Sequence, residues 1–218
     1  MIVLAIDTAG VDCAAALYDS DKDSLLAKVS ETIGRGHAEK LMAMIDQVLD
    51  AADLSMQAVQ RVGVTIGPGS FTGIRVGLAA ARGLALGLDV DIVGISTLQV
   101  MAAAYRQTAG ANAVLSAIDA KRGEVYAQAF GGDGVPISEP QLLKADFAAD
   151  LVRQDGLAVT GSAASLLLSG EPDDRPVHFP IDIVARLAAK AIVGDKPKPL
   201  YLRGPDAKPQ TGFAVARM

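Results

Sequence analysis

The chain opens with apolar runs separated by turn formers. Ile2 to Ile6 is apolar throughout, as expected of a strand buried on both faces. Asp7, Thr8, Gly10 and Asp12 then supply turn chemistry, Cys13 to Tyr18 forms a second run and Leu25 to Val29 a third. The period next lengthens: Leu41, Met44, Ile45, Val48 and Leu49 recur at three and four, which predicts a helix over 37–53. Val62 to Ile66 reads as a strand, followed by the loop Gly67-Pro68-Gly69-Ser70-Phe71-Thr72 and a helix over 73–87. A strand over 91–95 and a helix over 98–105 follow.

The opening pattern returns 112 residues later. Ala5-Ile6-Asp7-Thr8, a turn and the run from Cys13 match Ala117-Ile118-Asp119-Ala120, a turn and the run Val125 to Phe130. Two copies of a strand ending in Asp with a return strand imply two related halves. The second half adds helices over 144–154 and after Ala163, a strand over 157–160, the turn Gly161-Ser162 and a helix over 181–193 stopped at Gly194. The organisation is thus an α/β lobe over 1–108, a smaller α/β lobe over 109–194 and a tail over 195–218. Pro197, Pro199, Pro205 and Pro209 predict an extended tail, with Leu200, Tyr201 and Leu202 as anchors.

Composition narrows the classes of function. Half of the 218 residues are hydrophobic and 21% are charged, ample for buried cores and unlike a disordered chain. The formal charge is -5, although the tail alone is basic, so the body lacks the clustered bases with which a protein holds nucleic acid by itself. The single Cys13 cannot form an internal disulfide, and the N-terminus has no basic lead before its apolar run, so neither a signal peptide nor an oxidising compartment is expected. The apolar stretch Leu78 to Leu88 is broken by Arg82 and reads as too short for a membrane span. Only His37 and His178 are available as imidazoles, which leaves no histidine cluster for zinc.

Several residues invite chemical readings with structural alternatives. The stretch IGPGSFTGIRVG joins a strand to a helix, where backbone amides can hold an anion, yet Ile74 stands where a Walker loop needs Lys. Alternatively Ser70 or Thr72 caps the helix. Gly73, Gly77 and Ala81 recur every four residues, and Gly83 and Gly87 likewise; interior glycines are explained by close approach of another helix, from this chain or a second subunit. Asp7 and Asp119 end equivalent strands, where carboxylates could hold a metal or instead satisfy their own turns. Arg75 and Arg82 read as solvated and Cys13 as a small core residue.

The strand ending Ile6-Asp7-Thr8, the loop and helix start from Gly67 to Arg75, the unit from Ile118 to Tyr126 and Pro199-Leu200-Tyr201-Leu202-Arg203 together resemble the TsaB (YeaZ) family. The resemblance implies the actin-like, Hsp70-like and sugar-kinase-like fold with two RNase H-type lobes. It also implies a cytoplasmic, non-catalytic subunit in the formation of threonylcarbamoyladenosine at position 37 of transfer RNAs that read codons beginning with A. Such a subunit pairs with the catalytic protein TsaD, and the ATPase TsaE joins the pair; a homodimer when free and indirect contact with transfer RNA go with this role. Thr97 and Met101 stand where TsaD carries its metal-binding histidines. The pairing helices imply His37, Leu41, Met44, Ile45, Val48, Gly73, Gly77, Ala81 and Leu84 as interface residues, with Gly77→Leu expected to abolish pairing and spare the fold. No cofactor is required, although ATP or ADP at the complex interface, or nucleotide at Asp7, Thr8, Gly161 and Ser162, remains open. An active ATPase or phosphotransferase of the same fold, and a peptidase, are the rival readings.

Overall fold

The computed structural model describes residues 1–204. Its first sheet is built from β1 (Ile2–Asp7), β2 (Asp12–Asp19), β3 (Ser24–Thr32), β4 (Arg61–Gly67) and β5 (Asp91–Ser96). The order is β3-β2-β1-β4-β5, with β1 antiparallel to β2 and parallel to β4. The second sheet contains β6 (Val114–Lys121), β7 (Glu124–Phe130), β8 (Gln141–Lys144) and β9 (Ala158–Thr160), in the order β8-β7-β6-β9. Here too β6 pairs antiparallel with β7 and parallel with β9. The two sheets therefore share strand order and sense, which is the physical content of the 112-residue repeat. The architecture is the expected actin-like, Hsp70-like and sugar-kinase-like fold.

Among the described residues six α-helices clothe the sheets: α1 (His37–Ala51), α2 (Phe71–Leu88), α3 (Thr97–Ala109), α4 (Ala145–Asp155), α5 (Ala164–Ser169) and α6 (Ile181–Lys190). The two-residue period of β1 sorts its side chains between layers. Leu4 and Ile6 meet Leu41, Ile45 and Val48 of α1 and Leu78 and Ala81 of α2, whereas Val3 and Ala5 meet Ile183, Val184 and Ala188 of α6. Val114, Ile118 and Phe130 of the second sheet join that last cluster together with Leu98 and Val100 of α3. Thus α3 and α6 lie between the sheets. Leu115, Ala117, Val125 and Ala127 face a third cluster with Ala148 and Val152 of α4 and Leu167 of α5.

Differences from the sequence reading have local causes. β8 has only four edge residues without a clear polar alternation, too little for a pattern to register. The helix α6, assigned by position to 109–194, packs on the first sheet. It also ends at Lys190, well before Gly194. Arg61 of β4 explains the early stop, because its Nη1 donates to the carbonyls of Ala188, Ala189 and Ala191, each at 3.1 Å. α2 is longer than its apolar core suggested and, at 18 residues with a mean hydropathy of 1.3, is long and apolar enough to cross a bilayer. In this fold its inner face, from Ile74 to Ala85, is packed against the first sheet.

The tail runs extended from Pro197 to Gly204, and Pro205 and Pro209 lie outside the described residues. It is held by named bonds. Leu200 N–H donates to Ile66 O at 2.8 Å, Arg82 donates to Pro197 O, and Arg203 pairs with Glu124 at 2.6 Å. Arg75 Nε donates to the Tyr201 hydroxyl at 2.8 Å, and its guanidinium lies 3.7 Å from the centre of the Phe71 ring. Arg75 and Arg82 are therefore clasps for the tail, which corrects their reading as solvated side chains.

Candidate functional site

Two places bring the candidate residues into relief: the turns at the ends of β1 and β6, and the outer surface of α1 and α2. At the first, Asp7 is fully buried. Its Oδ1 accepts from Ala9 N–H at 3.0 Å and from the Thr65 hydroxyl at 2.6 Å, while Oδ2 has no hydrogen-bond partner among the described residues. Burial pushes its pKa up to about 6, against the lowering effect of these two donors. Thr8 is equally buried and donates to Gly73 O at 2.7 Å. Asp119, at the equivalent place, accepts from Lys121 N–H at 2.7 Å and pairs with Lys121 Nζ at 2.9 Å. Ser162 Oγ accepts from Asp119 N–H at 3.0 Å.

Gly161 and Ser162 line a cavity of about 640 Å³ between α3 and the chain leading to α6, together with Tyr105, Arg175 and His178. Asp7 and Thr8 do not line it; their side chains are turned into the first lobe and sealed from solvent. The four residues suggested for nucleotide are thus split between a buried turn and an open cavity. They do not form one cradle for a nucleotide and its cation. Thr97 donates to Pro68 O at 2.6 Å and, like Met101, is buried.

One constellation left no local signal in the sequence. Asp12 Oδ1 accepts from the Thr32 hydroxyl at 2.6 Å, Oδ2 lies 2.6 Å from His178 Nδ1, and Asp12 O accepts from His37 Nε2 at 3.1 Å. These partners are 20 to 166 residues apart, so only the fold unites them. It ties the chain entering α6 to the edge of the first sheet.

On α1 and α2 the structure reverses the sidedness of the expected interface. His37, Leu41, Met44, Ile45, Val48, Gly73, Gly77 and Ala81 are all buried within this chain. The glycine spacing has an internal cause: a Cβ at Gly73 would overlap the carbonyl oxygen of Thr8, and one at Gly77 the Thr8 hydroxyl. The neighbour that needs close approach is the β1 turn, so Gly77→Leu would damage the fold it was expected to spare. Of the implied residues, only Leu84 reaches partway to the surface.

The outward face carries a second stripe. Val76, Ala80, Gly83 and Gly87 recur at four, three and four along α2; Val76 and Ala80 are half-buried against the first-sheet core, whereas Gly83 and Gly87 are exposed and a Cβ at either would meet nothing within 4 Å among the described residues. Leu86 is 80% exposed and Met42, on α1, 45%. Acidic and polar residues of α1, Glu39, Asp46, Gln47 and Asp50, share this exposed surface. Sequence spacing disclosed both glycine rows but not which one faced the sheet.

Known proteins bear on this arrangement. Residues 28–165 match the family model described as TsaD, tRNA N6-adenosine threonylcarbamoyltransferase. The tRNA threonylcarbamoyladenosine biosynthesis protein TsaB of Escherichia coli (strain K12) is 40% identical over 126 residues, covering 58% of this chain and 53% of that protein. An uncharacterized protein of Mycobacterium tuberculosis (strain ATCC 25618 / H37Rv) is 34% identical over 210 residues, covering 95% and 94%. The solved structure of YeaZ from Pseudomonas aeruginosa superposes with a TM-score of 0.77 at 27% identity, covering 92% of this chain and 99% of that one. The chain spans about half the length of the curated TsaB relatives it matches. A family model matching more than half of the chain, relatives named TsaB and a fold shared with YeaZ lead to one conclusion: the chain belongs to the TsaB (YeaZ) family.

Proposed function

We propose that the chain is a non-catalytic subunit in the formation of threonylcarbamoyladenosine on transfer RNA, pairing with TsaD through the outer surface of α1 and α2. The observation that carries this reading is the open pair Gly83 and Gly87, continued by the half-buried Val76 and Ala80 and flanked by the exposed Met42 and Leu86. Small residues on an exposed helix face let a partner helix approach to a short interaxial distance, and the apolar flanks supply area that gains from burial. Two such helices from each protein would make a four-helix contact. In this reading TsaE joins the pair, transfer RNA is held by the partners, and the free subunit uses the same surface to pair with itself. The work is cytoplasmic and this subunit brings no cofactor of its own.

The non-catalytic part of the reading rests on how the polar groups are spent. Asp119 is neutralised by its own Lys121, and Asp7 and Thr8 are sealed behind Gly73. A phosphotransferase would need those groups at an open site. The test is reconstitution with TsaD, TsaE, the adenylate-forming enzyme, ATP, threonine, bicarbonate and transfer RNA. Modification is expected to require this chain and to survive Asp7→Asn in it. Modification at full rate without the chain would remove the assigned role, and its loss with folded Asp7→Asn would make the subunit catalytic.

A further inference from the structure

A second cavity, of about 840 Å³, opens where the tail crosses from the first lobe to the second. Its walls come from the start of α2, from β7 and from the tail, and they concentrate scarce residue types. The chain has no Trp, five Phe and four Tyr, and three of these nine rings, Phe71, Tyr126 and Tyr201, line this one cavity. Phe71 is 56% and Tyr201 49% exposed, unusual for rings that could have been buried. Among the described residues the charged lining side chains are Arg75 and Arg203, with no acid beside them, in a chain of net charge -5.

The two arginines are held differently. Arg203 pairs with Glu124, which leaves its charge largely answered. Arg75 has no carboxylate partner among the described residues. Its Nε is fixed by the Tyr201 hydroxyl and its plane by the Phe71 ring, with the Tyr201 ring centre 5.7 Å away. Both contacts orient the guanidinium without neutralising it, so the terminal nitrogens are free to take two oxygens of an oxyanion such as phosphate. Beside that fork stand aromatic faces tilted by 30° with centroids 5.5 Å apart. An uncompensated, oriented Arg next to exposed rings, in a cavity of the volume that small ligands occupy, suits a ring bearing a phosphate.

We propose that this cavity binds a nucleobase with its adjoining phosphate, the base stacked against Tyr201 and Tyr126 and the phosphate on Arg75. The site is distinct from the one by Gly161 and Ser162, and it does not depend on pairing with TsaD. Two sources carry the same chemistry, a free nucleotide and an unpaired stretch of RNA. Stacking of this kind tolerates any base, so the site would read the presence of an unstacked nucleotide and not its sequence.

The test is isothermal titration of the full chain with AMP, ribose 5-phosphate and single-stranded oligo(A), location being assigned by variants in each cavity because tyrosines line both. Saturable AMP binding with Kd below about 1 mM is expected. Arg75→Gln should weaken it at least about tenfold, Tyr201→Phe should leave the stack, and Arg175→Gln in the other cavity should change nothing. Because Arg75 also holds the tail, Phe71→Leu serves as a second variant, expected to weaken AMP with no change in melting temperature. Oligo(A) binding more than about tenfold tighter than AMP identifies an RNA strand as the source, and equal or weaker binding identifies the free nucleotide. Ribose 5-phosphate binding as tightly as AMP, a loss in Arg175→Gln instead of Arg75→Gln, or no saturable binding of AMP and oligo(A) would overturn the proposal.

Discussion

The same substitution at two glycines of α2 should change stability in opposite directions. At Gly77 a methyl group would overlap the Thr8 hydroxyl, which donates to Gly73 O in a fully buried bond of 2.7 Å. Relief requires either moving the β1 turn or rotating Thr8, and the second leaves the buried Thr8 hydroxyl without its acceptor. Overpacking costs about 1 to 3 kcal/mol and an unsatisfied buried donor about 1 to 3 kcal/mol. Only one of these need be met in full, and Ala returns roughly 0.5 to 1 kcal/mol of helix propensity. A net loss of about 1 to 1.5 kcal/mol is expected for Gly77→Ala. At Gly83 the methyl group meets nothing within 4 Å, so only the propensity gain remains, about 0.5 to 1 kcal/mol. Urea unfolding followed by far-ultraviolet circular dichroism measures both, and for a chain of this size each kcal/mol moves Tm by about 2 to 4 °C. Gly77→Ala as stable as the parent would refute the claim that this stripe faces Thr8, as would Gly83→Ala destabilised by a comparable amount.

Three further outcomes follow from groups already placed. Asp7 has a folded pKa of about 6, above its ordinary 3.8, so the native state keeps a proton that the unfolded chain has lost. Stability should therefore fall as pH rises from about 4 to about 6 and level off above, by about 3 kcal/mol in total, and the difference between parent and Asp7→Asn unfolding curves should show this slope. Arg61→Met should cost about 2 to 3 kcal/mol, seen as a lower urea midpoint, because three carbonyls at the end of α6 lose a shared charged donor. Cys13 is buried and its thiol is pushed up to about 11 by burial, so a thiol reagent at pH 8 should label it only at the rate of unfolding.

The fold was legible because its strands carry their own alternation. Leu4 and Ile6 against Val3 and Ala5 divide into two layers as a period of two requires, and the repeat of Asp7 at Asp119 marks equivalent strand pairs, although β6 runs on to Lys121 before its tighter turn. The helix stop made by Arg61 was hidden because donor and carbonyls are about 130 residues apart, and no local pattern encodes such a cap. The candidate interface was half legible. Glycines at intervals of four announce a close approach, but one row in α2 meets Thr8 and the other meets open space, and sequence periodicity assigns no partner to either. The tail clasps were missed for the same reason: Arg75 and Tyr201 are 126 residues apart, and a lone Arg on a helix has the same local signature whether it is solvated or stacked.

The proposed pairing surface is tested most directly by the affinity of the folded chain for TsaD when Gly83 is enlarged. Gly83→Leu places a side chain in open space on the outer face of α2, so the chain should remain as stable as the parent. Co-elution with TsaD on size exclusion, and Kd by titration, should then show binding weakened at least about tenfold, the effect of a misfit costing about 1.4 kcal/mol or more at a close helix crossing. Parent-like affinity for TsaD in a stable Gly83→Leu chain would contradict the assignment of this face.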